Sequence, residues 1–230
     1  MQASNKASSG GGAPETLTDS GLRTPRAAAV AGVVFSLLTL ASFGILWRAI
    51  PADSQASGAW LAANANEIAL ALNLIPFAGI AFLWFIGVIR DRLGRLEDRF
   101  FATVFLGSGL LFLGMLFVAA AVVGAVLIAF REDPAAFAAS PAFRLARAAA
   151  SNLVNVYMVR MAAVFMMSTS TVAVSTRFAP RWLALLGYLL AAALLIGSPF
   201  VRWSFAVFPL WVLLLSIHIL ASSFGRRLEV

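Results

Sequence analysis

Apolar residues run along this chain in six stretches, separated by short polar or charged segments. Several stretches hold 18 or more residues with almost no charge, which is long enough to cross a bilayer as a helix. The pattern predicts an all-α membrane protein: a single domain, residues 26–225, built as a six-transmembrane-helix bundle. The predicted helices are 27–47, 67–89, 101–129, 149–176, 183–198 and 203–223.

The fifth predicted helix and the two tails differ from the rest of this pattern. The fifth helix is short and ends at the string GSPF, so it either crosses fully or turns back as a tight re-entry. Residues 1–25 are rich in Ser, Gly and Thr and have no apolar period, which predicts a disordered cytoplasmic tail. Residues 226–230 are expected to form a second, short cytoplasmic tail.

The segment between the third and fourth predicted helices carries two helix-start signals. Asp133-Pro134 and Ser140-Pro141 each pair an N-cap residue with proline at the first helical position. A helix from Pro141 to Thr176 would be about 54 Å long, so its first turns must project from the membrane or lie along its surface. Four residues suit such an interfacial segment: Phe137, Phe143, Arg144 and Arg147.

Composition and charge agree with a membrane location. Hydrophobic residues make up 61% of the chain, charged residues only 12%, and the mean hydropathy is +0.91. The net charge of +7 comes from basic residues at the ends of apolar stretches, which favours a topogenic signal over nucleic-acid binding. With both termini inside, eleven basic residues are cytoplasmic and five are external. The alanine- and arginine-rich composition suggests a bacterium, and hence its cytoplasmic (inner) membrane.

Several kinds of chemistry are excluded by what the sequence lacks. There is no cysteine and a single histidine, His218, so disulfides, thiolate catalysis and histidine-rich metal sites are ruled out. No HExxH, P-loop, CxxC or carboxylate pair occurs. We therefore expect no metal and no cofactor, and we expect the partners to be the lipid bilayer and either a second copy or a larger membrane complex.

The string GVIRDRLGRLEDR joins the second and third predicted helices. Asp91 and Arg95 form an i,i+4 pair of opposite charge, and Gly94 can end the second helix in a left-handed cap. Glu97 and Asp98 stand where the third helix begins, which suits the positive end of its dipole. One interpretation is a tight, charged cytoplasmic turn that fixes orientation.

The same string also resembles a family motif. Gly87, Asp91, Arg92, Gly94 and Arg95 match the GxxxDRxGR pattern that the major facilitator superfamily carries between helices 2 and 3. The resemblance implies the N-terminal half of a transporter, with six helices and both termini inside. More broadly, the strings FAGIAFLWFIGVIRDRLG and EDRFFATVFLGSGLLF resemble the core of bacterial multipass proteins that have no assigned function.

One permanent charge lies inside an apolar stretch. Arg160 stands 13 residues after Arg147 and 17 before Arg177, which puts it near mid-depth of the fourth predicted helix. Insertion scales give about 2.5–3.5 kcal/mol as the cost of arginine at that depth. Helical spacing places it on one face with a partly polar stripe: Tyr157, Val164, Met167, Ser168, Thr171 and Ser175.

The groups expected to accompany Arg160 lie on the second predicted helix. They are Glu67 at its outer end, the deeper Asn73, and the carbonyl of Leu72 that Pro76 leaves without an amide partner. Two interpretations remain open. Arg160 is either a structural residue that bridges to these groups or snorkels outward, or the centre of an anion or proton-coupled site.

These features favour a non-enzymatic protein, either a small permease-like transporter or an accessory subunit of a membrane complex. A transporter requires a continuous polar path past Arg160, whereas an accessory subunit requires a closed interior and an apolar face for its partner. The alternative is an intramembrane hydrolase that uses Ser108 and His218, on separate helices as in rhomboid-type proteases.

Overall fold

The computed structural model describes residues 23–51, 59–93, 99–176, 179–197 and 203–225. Every regular element in these ranges is helical, in agreement with the predicted all-α class. The elements are α1 (Arg23–Ala49), α2 (Ala59–Leu93), α3 (Arg99–Glu132), α4 (Pro134–Ala139), α5 (Pro141–Asn152), a π-helical segment (Leu153–Met158), α6 (Val159–Thr176), α7 (Arg181–Gly197) and α8 (Ser204–Gly225).

Within these ranges, five helical stretches are long and apolar enough to cross a membrane. They are Ala27–Ala49, Trp60–Arg90, Ala102–Glu132, Pro141–Ser175 and Ser204–Ser222. The fifth predicted helix, 183–198, corresponds to α7, which has 17 residues and is shorter than these five stretches. A multipass, all-helical membrane protein is therefore supported, with α7 as a shorter apolar helix beside the five candidate spans.

The start of α2 is the largest boundary error of the sequence prediction. The helix begins at Ala59, not at residue 67. Leu61 is buried, and the Asn64 side chain donates to the carbonyls of Trp60 (2.9 Å) and Ala49 (3.2 Å), so the early turns are held although they lack an apolar period. Consequently Glu67 lies about two turns inside α2 and not at its end.

The helices pack in an order that the sequence did not reveal. Helix α1 packs against α2 and α8, α3 packs against α2 and α6, and α7 packs mainly against α6. Helix α3 therefore contacts both α2 and α6. These two helices meet through the rings of Phe82 and Phe165, whose centroids are 5.3 Å apart.

The centre of the bundle is filled by five phenylalanines, each from a different helix. Every one of them is at most 1% exposed, and their ring centroids lie 4.6–6.2 Å apart. Aromatic pairs at such spacing contribute about 0.5–1.5 kcal/mol each beyond their buried area. We call this set the phenylalanine layer: Phe35, Phe82, Phe112, Phe165 and Phe208.

A second apolar cluster closes one end of the bundle, which we call the α5 end. Phe143 of α5 is buried there against the Trp60 ring, with centroids 6.4 Å apart. Arg147 lies over both rings, 5.3 Å from that of Trp60 and 5.7 Å from that of Phe143, and donates to the Pro51 carbonyl at 3.3 Å. Arg147 thus fastens α5 to the segment that follows α1.

Both predicted helix starts near the α5 end are confirmed. The Asp133 side chain accepts from the Ala136 amide at 3.1 Å, and the Ser140 hydroxyl accepts from the Phe143 amide at 3.2 Å. Proline occupies the first turn in each case. From Pro141 the chain remains helical to Thr176, as predicted, with the π-helical segment as the unexpected feature.

Candidate functional site

Arg160 is the second residue after the π-helical segment. The buried face of α6 is formed by small, aromatic and hydroxyl side chains, each at most 4% exposed: Ala162, Ala163, Phe165, Met166, Thr169, Ser170 and Val172. Arg160 lies on the opposite face, with Val164, Met167 and Thr171 at helical spacing. Its side chain therefore leaves the helix on the side turned away from the bundle centre.

The phenylalanine layer gives the depth of Arg160 within the bundle. Arg160 is five residues from Phe165 toward the α5 end, about 7.5 Å along the axis. The candidate spans in α1, α2 and α3 have their midpoints at residues 38, 75 and 117, which lie three, seven and five residues from the layer in the same direction. Arg160 is thus level with the middle of the spans in α1, α2 and α3, whereas the midpoint of the α8 span, residue 213, lies five residues from Phe208 in the opposite direction.

Arg160 has no partner in the described part of the chain. It is partly buried, and it takes no part in any hydrogen bond or ion pair found among residues 23–51, 59–93, 99–176, 179–197 and 203–225. From mid-depth, snorkelling would cover only part of the distance to the headgroups, because an arginine side chain extends about 7 Å at ordinary bond lengths and half of the hydrocarbon core is about 15 Å thick. The insertion cost of about 2.5–3.5 kcal/mol is therefore not offset by these residues.

The groups expected beside Arg160 do not meet it. The Asn73 side chain is exposed and donates to the Ala69 carbonyl of its own helix at 2.9 Å. Glu67 is exposed on α2, and neither residue forms a hydrogen bond or ion pair with Arg160. Helices α2 and α6 each pack against α3, and no hydrogen bond among the described residues joins Arg160 to the Leu72 carbonyl.

The polar stripe on α6 is satisfied mostly within its own helix. The hydroxyls of Ser168, Thr171 and Ser175 each donate to the carbonyl four residues earlier, at 2.8–3.0 Å. Thr171 also shares a 2.7 Å hydrogen bond with the Tyr188 hydroxyl of α7. Sequence reasoning missed Tyr188, although a lone phenol in an otherwise apolar helix is a usable signal for an interhelical partner.

Tyr157 and the α2–α3 surface also face outward. Tyr157 belongs to the π-helical segment and is 55% exposed. On the surface of α2 and α3, an apolar groove of about 320 Å³ is lined by Leu72, Ile75, Pro76, Phe117, Ala120, Ala121 and Gly124. The described residues thus provide an apolar groove on the outside and a phenylalanine layer inside.

The facilitator-like string is only partly within the described ranges. Gly87 lies on α2, is exposed, and a Cβ added to it would meet nothing within 4 Å. Asp91 and Arg92 belong to the last turn of α2, which ends at Leu93. Gly94 and Arg95 lie outside the described ranges.

Ser108 and His218, the pair required by the hydrolase alternative, do not contact each other through a hydrogen bond. The buried Ser108 hydroxyl donates to the carbonyls of Val104 (2.7 Å) and Phe105 (3.1 Å). Ser108 is four residues from Phe112, whereas His218 is ten residues from Phe208 on the same side of the phenylalanine layer. The two residues therefore differ by about 9 Å along the helix axes, and no hydrogen bond joins them. A base must lie within hydrogen-bond reach of its nucleophile.

Comparisons with known proteins add no relative: no protein-family model, curated protein or solved structure matches the chain. Among the described residues, no group of three or more His, Asp or Glu side chains could hold a metal ion. The class is defined by the helices themselves, which form an apolar, multipass bundle of the kind found in integral membrane proteins.

Proposed function

We propose that this chain is a non-enzymatic accessory subunit of a bacterial inner-membrane complex, with both termini in the cytoplasm. One observation carries the proposal: Arg160 faces away from a filled bundle centre and has no partner among the described residues. A charge kept at mid-depth on an outer face needs a counterpart to offset its insertion cost, and an assembled complex can supply one.

The closed interior supports this function over transport. A solute that crossed the bundle would have to pass the phenylalanine layer, where Phe35, Phe82 and Phe208 are at most 1% exposed. The Ser and Thr hydroxyls nearest to Arg160 are already bonded to their own helix. These features match the requirement for an accessory subunit, which is a sealed core with outward-facing apolar surface.

A small transporter is the second candidate, and the π-helical segment beside Arg160 favours it. Single π-helical turns inside α-helices are rare and occur frequently at functional sites. The facilitator-like string between α2 and α3 points in the same direction. In this case the two termini would again be cytoplasmic, and the polar path would open only in another conformation.

The mass of the detergent-extracted particle and the accessibility of introduced cysteines distinguish an accessory subunit from a transporter. The chain has no cysteine, so a thiol reagent would label only the introduced residue in Ala163→Cys, on the buried face of α6, or in Met167→Cys, on its outer face. An accessory subunit extracted in mild detergent should migrate with a stoichiometric second protein, and Ala163→Cys should resist a charged, water-soluble thiol reagent. Labelling of Ala163→Cys together with a mass of only one or two copies would support the transporter instead.

A further inference from the structure

The outer face of α6 combines a charge with apolar contact surface. Around Arg160, Val164 is half-buried, Met167 is 40% exposed and Tyr157 is 55% exposed. A long, flexible methionine and an exposed aromatic ring on the same helical stretch as the guanidinium make a surface that an apolar helix with one polar side chain can cover. Arg160 is permanently positive and only donates hydrogen bonds, so the polar side chain of that helix must accept hydrogen bonds. A carboxylate accepts them and also carries the opposite charge.

The depth of Arg160 excludes lipid headgroups as the source of the negative charge. Arg160 is level with the midpoints of the candidate spans in α1, α2 and α3, and headgroups begin about 15 Å away from the middle of a bilayer. The arginine side chain covers about half of that distance. The counterpart must therefore be carried at mid-depth by a protein.

A second copy of this chain does not offer such a carboxylate from its described residues. Glu67 is fifteen residues from Phe82 toward the α5 end, so it is ten residues, about 15 Å, above the level of Arg160. Asp91 and Glu132 are displaced further. Copies inserted in the same orientation and related by a two-fold axis along the membrane normal keep every residue at its own depth. The gap exceeds the joint span of the two side chains, about 11 Å.

We propose that Arg160 anchors a transmembrane helix of a different protein, one that carries a single Asp or Glu near its midpoint. The carboxylate would accept charge-assisted hydrogen bonds from the guanidinium, and the apolar sides of that helix would cover Val164, Met167 and Tyr157. This inference rests on the proposed accessory function and names the chemistry of the partner.

Synthetic transmembrane peptides test the proposal directly. The probe is a leucine–alanine helix of about 20 residues with one central glutamate; two control peptides carry glutamine at the centre or the glutamate at one end. The full-length protein is labelled at Leu145→Cys, which is 72% exposed on α5, and energy transfer is measured in phosphatidylcholine vesicles. The central-glutamate peptide should associate about tenfold more tightly than either control.

Variants of the protein then locate the contact. Arg160→Gln should abolish the preference for glutamate, Arg160→Lys should retain part of it, and Arg144→Gln, an exposed arginine on α5, should leave it unchanged. Equal binding of the three peptides to the wild type would overturn the proposal without requiring any protein variant. A preference that survives Arg160→Gln would overturn it as well. Energy transfer between two labelled copies of the protein, measured without any peptide and lost in Arg160→Gln, would also overturn the proposal. It would mean that Arg160 contacts a second copy and not a different protein.

Migration of the native complex shows whether the helix-anchor proposal or the accessory function itself has failed. If the wild type migrates with a second protein and Arg160→Gln migrates with it equally, the accessory function stands and the anchor is wrong. If the wild type migrates alone or as a dimer, the accessory function itself fails.

Discussion

Two arginines of one continuous helix, Arg147 and Arg160, are held in opposite ways. Arg147 lies over two aromatic rings and donates to the Pro51 carbonyl. Thirteen residues later, Arg160 is level with the middle of the spans in α1, α2 and α3 and has no partner among the described residues. The difference indicates that Arg147 serves the fold of this chain, and it is the observation on which the proposed partner role of Arg160 rests.

The largest expected change in the free energy of unfolding comes from a substitution in the phenylalanine layer. Phe82→Ala removes a ring whose centroid lies 4.6 Å from that of Phe35 and 5.2 Å from that of Phe112. The free energy of unfolding should fall by about 3–5 kcal/mol, as for other buried aromatic truncations. Denaturant unfolding in detergent measures it. Phe77→Ala, 61% exposed on the same helix, is the control and should cost little. Similar losses for both variants would mean that the phenylalanine layer is not the core.

A smaller effect is expected where α7 meets α6. A Cβ at Gly187 would collide with the Ser170 hydroxyl and would lie 3.0 Å from the Trp211 ring. Gly187→Ala should therefore destabilise the protein by about 1–3 kcal/mol through overpacking. Thermal unfolding in detergent reports the change. Gly114→Ala on α3, where nothing lies within 4 Å, should be neutral or stabilising, and a stable Gly187→Ala would show that α7 is loosely attached.

Arg147→Gln should have a moderate effect, because it removes two cation–π contacts and one hydrogen bond at the α5 end. We expect a loss of about 1–2 kcal/mol in the free energy of unfolding. The same denaturant titration measures it, with exposed Arg144→Gln as the matched control. An unchanged stability would mean that the contacts of Arg147 are as weak as those of an ordinary surface arginine, and the contrast with Arg160 would disappear.

The sequence predicted most of the helices and the two capped starts, because these depend on local chemistry. Asp133 and Ser140 bind amides only three residues away, so their role can be read from neighbouring letters. The environment of Arg160 depends on which helices are neighbours, and apolar helices of similar length give no signal for their packing order. Asn73 and Glu67 were thus expected beside Arg160, although neither forms a hydrogen bond or ion pair with it.

Two further features could not be predicted for physical reasons. Helices that are hydrophobic on all sides do not show which phenylalanines face the centre, so Phe35 and Phe82 cannot be distinguished from the exposed Phe77 by periodicity. The π-helical segment adds a residue to one turn without any composition signal.

The central claim is that Arg160 has no counterpart among the described residues of its own chain, and the unfolding free energy of Arg160→Gln tests it most directly. Measured in detergent beside Arg147→Gln, Arg160→Gln should stay within about 0.5 kcal/mol of the wild type, as substitutions do where no contact is lost. A loss of about 3 kcal/mol or more would contradict the account, because it would show that the guanidinium is paired inside the folded protein.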